Sequence, residues 1–222
     1  MHLQEELLYL SIDEKTKKLN VSKQTLQYAL AGAVLMEFAL DDCISVHSKK
    51  IVWNRADNTY ESPVLSHYAS KLDEMDGKKL KSVIQKIGRT ELIDRVMESL
   101  VYTHKIIIKE RPFLFLFKSK EYHIVDAQDR QTQLEKLKED LFQEDIDVLS
   151  ERTMSLAFLL QICKLDRKLY PDNHKEIQRK LKELRKSNVY AQSVHQVLED
   201  IQTVMTVLLT TTIVTTSSTS TS

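Results

Sequence analysis

Residues 28–40 read Tyr-Ala-Leu-Ala-Gly-Ala-Val-Leu-Met-Glu-Phe-Ala-Leu, an apolar run broken by one charge, Glu37, and one glycine, Gly32. A helix needs roughly 20 apolar residues to span a bilayer, so this run is too short for that role. A helix that is apolar on every face must be buried on every face. The fold is therefore built around this segment, with other elements packed on all its sides. Ser22 stands at the N-cap position, and Asp41-Asp42 end the helix.

Working outward, most of the chain reads as helix. Residues 3–12 form a short apolar entry segment that ends in the polar turn Asp13–Lys18. Ser62-Pro63 is a helix start, a cap followed by proline in the first turn, with Leu65, Tyr68, Ala69 and Leu72 on one face. Residues 78–87 form a short helix closed by Gly88. From Thr90, Leu92, Ile93, Val96, Met97, Leu100 and Val101 recur at i, i+3 and i+4. Helices are predicted over 129–142, 151–169, 172–187 and 189–209, with Pro171 and Asn188 as breaks.

Two short stretches change period. Cys43–His47 and Ile51–Trp53, on either side of Ser48-Lys49-Lys50, read as a small hairpin. Lys105-Ile-Ile-Ile-Lys109 and Phe113-Leu-Phe-Leu-Phe117 read as a second, turning at Glu110-Arg111-Pro112. The expectation is one mainly α globular domain over residues 1–210: a central bundle around the buried apolar helix, wrapped by amphipathic helices and carrying small β-hairpins. The Thr/Ser tail, 211–222, has nothing to bury and is expected to be disordered.

Composition narrows the function. Lys plus Arg equals Asp plus Glu at 32 each, which argues against a dedicated nucleic-acid binder. Three glycines, Gly32, Gly77 and Gly88, are too scattered for a phosphate-cradling loop. Cys43 and Cys163 make no disulfide framework, and the first eight residues lack a signal pattern, so a reducing, cytosolic compartment is expected. The seven histidines do not pair with each other or with cysteine at metal-ligand spacing. Neither a catalytic constellation, nor a metal site, nor a cofactor site is read from the residues.

Charge is uneven along the chain. Residues 134–151 hold seven acids against two lysines, and residues 164–186 hold nine basic groups against four acids. Two helices facing each other would account for this, and so would a positive face offered to anionic lipid. The second hairpin carries a sharper signal. Phe113, Leu114, Phe115, Leu116 and Phe117 place apolar groups on both faces of a strand, bracketed by Lys105, Lys109, Lys118 and Lys120. Such a strand is either buried by neighbours or used for self-association or shallow membrane insertion.

The ordered set of segments resembles the Golgi phosphoprotein 3 family. It runs from Leu7-Leu-Tyr-Leu-Ser-Ile-Asp-Glu-Lys through the 28–40 stretch to Leu92-Ile-Asp-Arg-Val-Met-Glu-Ser-Leu-Val, the hairpin, and Glu151-Arg-Thr-Met-Ser-Leu-Ala-Phe-Leu-Leu. The resemblance covers about residues 5–210. It implies a helical fold with a projecting hairpin, peripheral membrane association without catalysis, and oligomer contacts through the hairpin. Eukaryotic members bind phosphatidylinositol 4-phosphate and the cytosolic tails of Golgi glycosyltransferases. Their lipid pocket aligns here with Ser22, Ala31, Thr90 and Ile93, none of which makes arginine's bidentate phosphate contacts. Lys23, Arg89 and Arg95 are the neighbouring cations, and the resemblance points to a bacterial-type member with a looser anionic-lipid preference or none.

The leading reading is a cytosolic protein that docks on an anionic membrane surface: Golgi in a eukaryote, the inner membrane in a bacterium. Membrane-protein tails and a second copy of the chain are its expected partners. The alternative is a winged-helix-like DNA-binding regulator, since helix 90–104 followed by a hairpin with five cations has that form.

Overall fold

An 18-residue helix, α2 (Lys23–Leu40), is the axis of the fold, and every residue from Tyr28 to Ala39 is buried. The computed structural model describes residues 1–54, 60–89, 91–113, 117–142, 150–184 and 200–208. Ser22 caps α2 by accepting the Thr25 amide at 3.2 Å. At its other end Asp42 turns into the left-handed region with φ 56°, and the Cys43 amide reaches back to the Phe38 carbonyl at 2.8 Å.

Four helices wall α2 directly: α1 (Leu3–Leu10), α4 (Leu80–Gly88), α5 (Leu92–Tyr102) and α7 (Glu151–Ile162). A helical stretch over 200–208 adds Ile201, Met205 and Leu208 to the core. Gly32 faces Met205 so closely that a Cβ there would lie 2.0 Å from its sulfur. Residues 3–12, read from sequence as an entry segment, are therefore a helix in the first packing layer, with Leu3, Leu7, Leu8 and Tyr9 fully buried.

The remaining elements complete this body. Hairpin β1 (Ile44–His47) and β2 (Lys50–Trp53) turns through Ser48 and Lys49, both at positive φ, the backbone of a two-residue hairpin turn. Ser62 and Pro63 start α3 (Pro63–Leu72) as the sequence indicates, and a short 3₁₀ turn (Asp73–Met75) follows. After α6 (Ala127–Phe142) come α7, α8 (Asp166–Leu169) and α9 (His174–Leu184). The apolar run predicted as one helix over 151–169 breaks at Lys164, φ 58°, and resumes as α8. The acidic and basic segments do adjoin, because α6 packs on α9. Asn188 and the tail 211–222 lie outside the described residues.

Two expectations require correction. Gly88 does not close α4 in a left-handed cap; it lies within the helix, buried against α2. A Cβ there would meet the Tyr28 ring at 2.9 Å and the Gln27 carbonyl at 3.1 Å, so the residue is small for packing. In the second hairpin, β3 (Ile106–Phe113) and β4 (Phe117–Ile124) pair from Ile106↔Ile124 to Phe113↔Phe117. Glu110, Arg111 and Pro112 thus sit in the ladder opposite Lys120, Ser119 and Lys118, not in a turn. Proline is tolerated because each strand of a two-stranded sheet has a free edge.

The Gly88 contact sets a test of the packing. Because backbone, not only a movable side chain, blocks a methyl group there, Gly88→Ala is expected to cost about 1–3 kcal/mol. Urea denaturation of the two proteins measures it.

Candidate functional site

The second hairpin is rooted on α5 and extends away from it. Ile106 is buried, and the Lys105 amide donates to the Leu100 carbonyl at 2.9 Å, continuing the end of α5. Beyond this root Ile107, Lys109, Glu110, Arg111 and Pro112 are exposed. Ile108, Tyr122 and Ile124 pack against the core from one strand face, and Lys18 reaches β4 as far as Ser119, so the body supports most of the hairpin's length. Phe113 and Phe117 form the last rung of the ladder. Leu114, Phe115 and Leu116 lie outside the described residues.

Beside the root is an apolar hollow of about 700 Å³ lined by Val101, Tyr102, Ile107 and Val125, with Glu98 and His104 at its edge. Six large hydrophobic side chains are exposed among the described residues, and four of them line this hollow; Tyr102 is 81% exposed. Four exposed apolar side chains gathered at one place form a patch, unlike the singly scattered ones common on protein surfaces. Val101, read from its spacing as core, belongs to this exposed group because α5 ends there.

The cations named from sequence occupy the opposite ends of neighbouring helices. Lys23 is exposed in the first turn of α2. Arg89 is exposed at the C-cap of α4, immediately after the glycine that packs on Gln27 and Tyr28. Arg95 is half-buried on α5 and held by Glu91, with Nη2 to Oε1 at 2.6 Å. Burial lowers the pKa of His67 on α3, and the positive charge of Arg95 adds to that lowering. Arg95 is thus engaged within the fold, while Lys23 and Arg89 face solvent.

A polar cluster that periodicity does not reveal centres on Glu37. Glu37, the lone charge of the apolar run, accepts the Leu3 amide and Arg152 Nη1, the latter at 2.5 Å. His2 Nδ1 lies 3.5 Å from its other oxygen. Arg152 also donates from Nη2 to the Met1 carbonyl at 2.7 Å and to Glu6 at 3.2 Å. Burial by itself would raise the Glu37 pKa, but the hydrogen bond from His2 and the charge of Arg152 hold it below its ordinary value. The same bond raises the pKa of His2. The cluster joins α1, α2 and α7 and binds parts of the protein to each other.

Nucleophilic chemistry finds no footing in the cysteines. Burial pushes the Cys163 thiol up to about 12, which suppresses the thiolate. Cys43 is buried against the Tyr60 hydroxyl at 2.9 Å. Among the described residues no three metal-ligating side chains converge, and no helix is long and apolar enough to cross a membrane.

A helical body around one apolar helix, with a two-stranded hairpin after α5, is the arrangement that the resemblance implies. Comparison with protein families gives a match over residues 3–201 to the family described as Golgi phosphoprotein 3 (GPP34). The chain belongs to the Golgi phosphoprotein 3 family. No curated protein matches it. Of the positions aligned with the eukaryotic lipid pocket in this Golgi phosphoprotein 3 family member, Ser22 is engaged as a helix cap, Ala31 is fully buried and Ile93 is half-buried. Thr90 lies outside the described residues.

Two outcomes follow from the Glu37 cluster. Arg152→Met leaves a buried carboxylate without its main partner, and is expected to cost near the lower end of about 3–5 kcal/mol because Arg152 is itself 37% exposed. Adding Glu37→Gln should recover part of the loss in a denaturant titration. His2 has a raised pKa in the folded protein, so its contribution is full below the ordinary value of 6.5 and declines as pH rises through the raised one. Melting temperature measured across that range should fall more steeply for the parent protein than for His2→Gln.

Proposed function

We propose that this protein is a non-catalytic peripheral membrane protein that docks reversibly on anionic lipid headgroups and there recruits protein partners. Family membership over residues 3–201 is the observation that carries the reading. The hairpin supports it: the exposed cations Lys109 and Arg111 precede the apolar sequence Phe113-Leu-Phe-Leu-Phe117, which a bilayer or a second copy of the chain would cover. The apolar hollow at its root is a second exposed apolar area on the hairpin.

Lys23, Arg89 and Arg95 are the headgroup contacts in this reading, with a preference for negative charge and not for one phosphoinositide. The proposed location is the cytosolic face of a membrane, the Golgi in a eukaryotic host or the inner membrane in a bacterial one. Cytosolic tails of membrane proteins are the partner class, and copies associate through the hairpin.

Vesicle flotation tests this. The protein should float with vesicles of phosphatidylcholine and phosphatidylglycerol, and not with phosphatidylcholine alone. Each phenylalanine buried in the bilayer is worth about 1.5–3 kcal/mol, so Phe115→Ser/Phe117→Ser should weaken flotation by more than about a hundredfold while leaving the melting temperature unchanged. A parent protein that stays at the bottom of the gradient, or a hairpin variant that floats as well as the parent, overturns the proposal.

A further inference from the structure

The two edges of the second hairpin meet different surroundings. In an antiparallel pair, opposed residues alternate between exchanging backbone hydrogen bonds and pointing those groups outward. The Val125 amide donates to the Lys105 carbonyl, so it is the odd-numbered residues of β3 that bond to β4. The even-numbered ones, Ile106, Ile108 and Pro112 among them, turn their backbone groups to the outer edge. On β4 that edge is covered: the Tyr122 amide donates to the Lys17 carbonyl at 2.9 Å, and the Lys120 carbonyl accepts Lys18 Nζ at 2.9 Å. On β3 it is open. Among the described residues, no hydrogen bond from another element reaches the backbone of Ile106 or Ile108.

The open stretch borders the apolar hollow. Successive side chains of a strand point to opposite faces, so a hollow lined by Ile106, Ile107 and Ile108 together runs along the strand's edge. Its other wall is the end of α5, where Val101 and Tyr102 lie one turn beyond Glu98. Glu98 is exposed, and Arg95, the cation three residues before it, is held by Glu91. Proteins ordinarily blunt an exposed strand edge. Here Pro112, which has no amide hydrogen to offer, blunts the distal part, while the stretch beside the hollow stays available for pairing.

We infer that the groove between α5 and the outer edge of β3 captures an extended peptide segment of a protein partner by strand addition. Ile106 and Ile108 offer amides and carbonyls about 6.8 Å apart along the edge, a spacing that an extended backbone matches. The walls set the chemistry of the segment. Apolar side chains at alternate positions meet Val101, Tyr102 and Ile107, and a lysine or arginine meets Glu98. A short segment needs two rungs, whereas the full β3 strand of a second copy would run into Pro112. The inference rests on the partner-recruiting part of the proposed function, for which it names a site and a ligand class, and it does not depend on lipid binding.

Fluorescence polarisation with the full chain tests it. The probes are labelled heptapeptides that alternate Thr with Val, Ile or Tyr and carry Lys at one end or the other. The tightest of them should bind saturably. N-methylation of alternate amides in one parity should weaken binding about tenfold, and in the other parity should not, because one edge of an added strand faces β3. Tyr102→Ser/Ile107→Ser changes two exposed positions and should weaken binding at least about tenfold, with the melting temperature unchanged. Glu98→Lys should reverse the preference from Lys-ended to Glu-ended peptides. Equal loss in both parities makes the hollow a merely apolar contact and overturns the inference. So does a parent that binds none of the peptides. In that case, an oligomer dissociated by the Tyr102/Ile107 variant assigns the hollow to a second copy, and vesicle flotation lost in that variant assigns it to a bilayer. Flotation of the parent is read in parallel: peptide failure with flotation intact sinks the groove and leaves the docking reading standing.

Discussion

The contact between Glu37 and Arg152 is the constraint on which the rest of the architecture depends. A helix apolar on all sides gains its stability from burial, at about 25 cal/mol per Å² of apolar surface removed from water. One carboxylate in the middle of such a surface would cancel much of that gain if unpaired. Arg152 supplies the countercharge, the Leu3 amide supplies a further donor, and the same guanidinium holds the Met1 carbonyl. A single residue on α7 thus fixes where α1 lies on α2, and with it the start of the loop that leads to the hairpin. The charge that looks like a flaw in the apolar run determines how three helices assemble.

From that assembly the position of the second hairpin follows by a chain of contacts. The α1 helix ends at Leu10, whose carbonyl accepts from Arg130 of α6. Arg130 also fixes Ile12 and Glu14, which sets the path of the following turn. That turn presents Lys17 and Lys18 to β4. The hairpin strands therefore have two supports, the end of α5 and this turn, and the turn is positioned by buried polar contacts in the body.

Local features of this fold are legible in the sequence because their causes are local. Ser22 before a long apolar run and Ser62-Pro63 before an amphipathic one specify helix starts through caps a few residues away. The mainly α class follows from the same periodicities. The misreadings share a different cause. Gly88 has the composition of a helix stop, yet its size answers to Tyr28, sixty residues earlier. Glu110-Arg111-Pro112 has turn composition, but a free strand edge accepts it in the ladder. Arg152 lies 115 residues from Glu37, and Lys18 lies 101 from Ser119. No window of sequence holds both partners, although a lone carboxylate in an apolar helix does announce that a cation must exist somewhere. For the candidate site, Lys23, Arg89 and Arg95 are singled out by the family resemblance alone, since no spacing in the sequence sets them apart from other surface cations.

The notch at Gly32 has a consequence for how the molecule is made. Met205 fills it, so the last side chain to close the wall of the central helix is synthesised some 170 residues after the helix itself. On the ribosome the apolar run emerges well before Met205 and cannot be fully enclosed until that later segment has been released. Separations of this length slow folding through the entropy of closing large loops. They also leave a nascent chain with adhesive surface for seconds at ordinary elongation rates. This family member is therefore expected to lean on chaperones during synthesis more than its helical content would suggest.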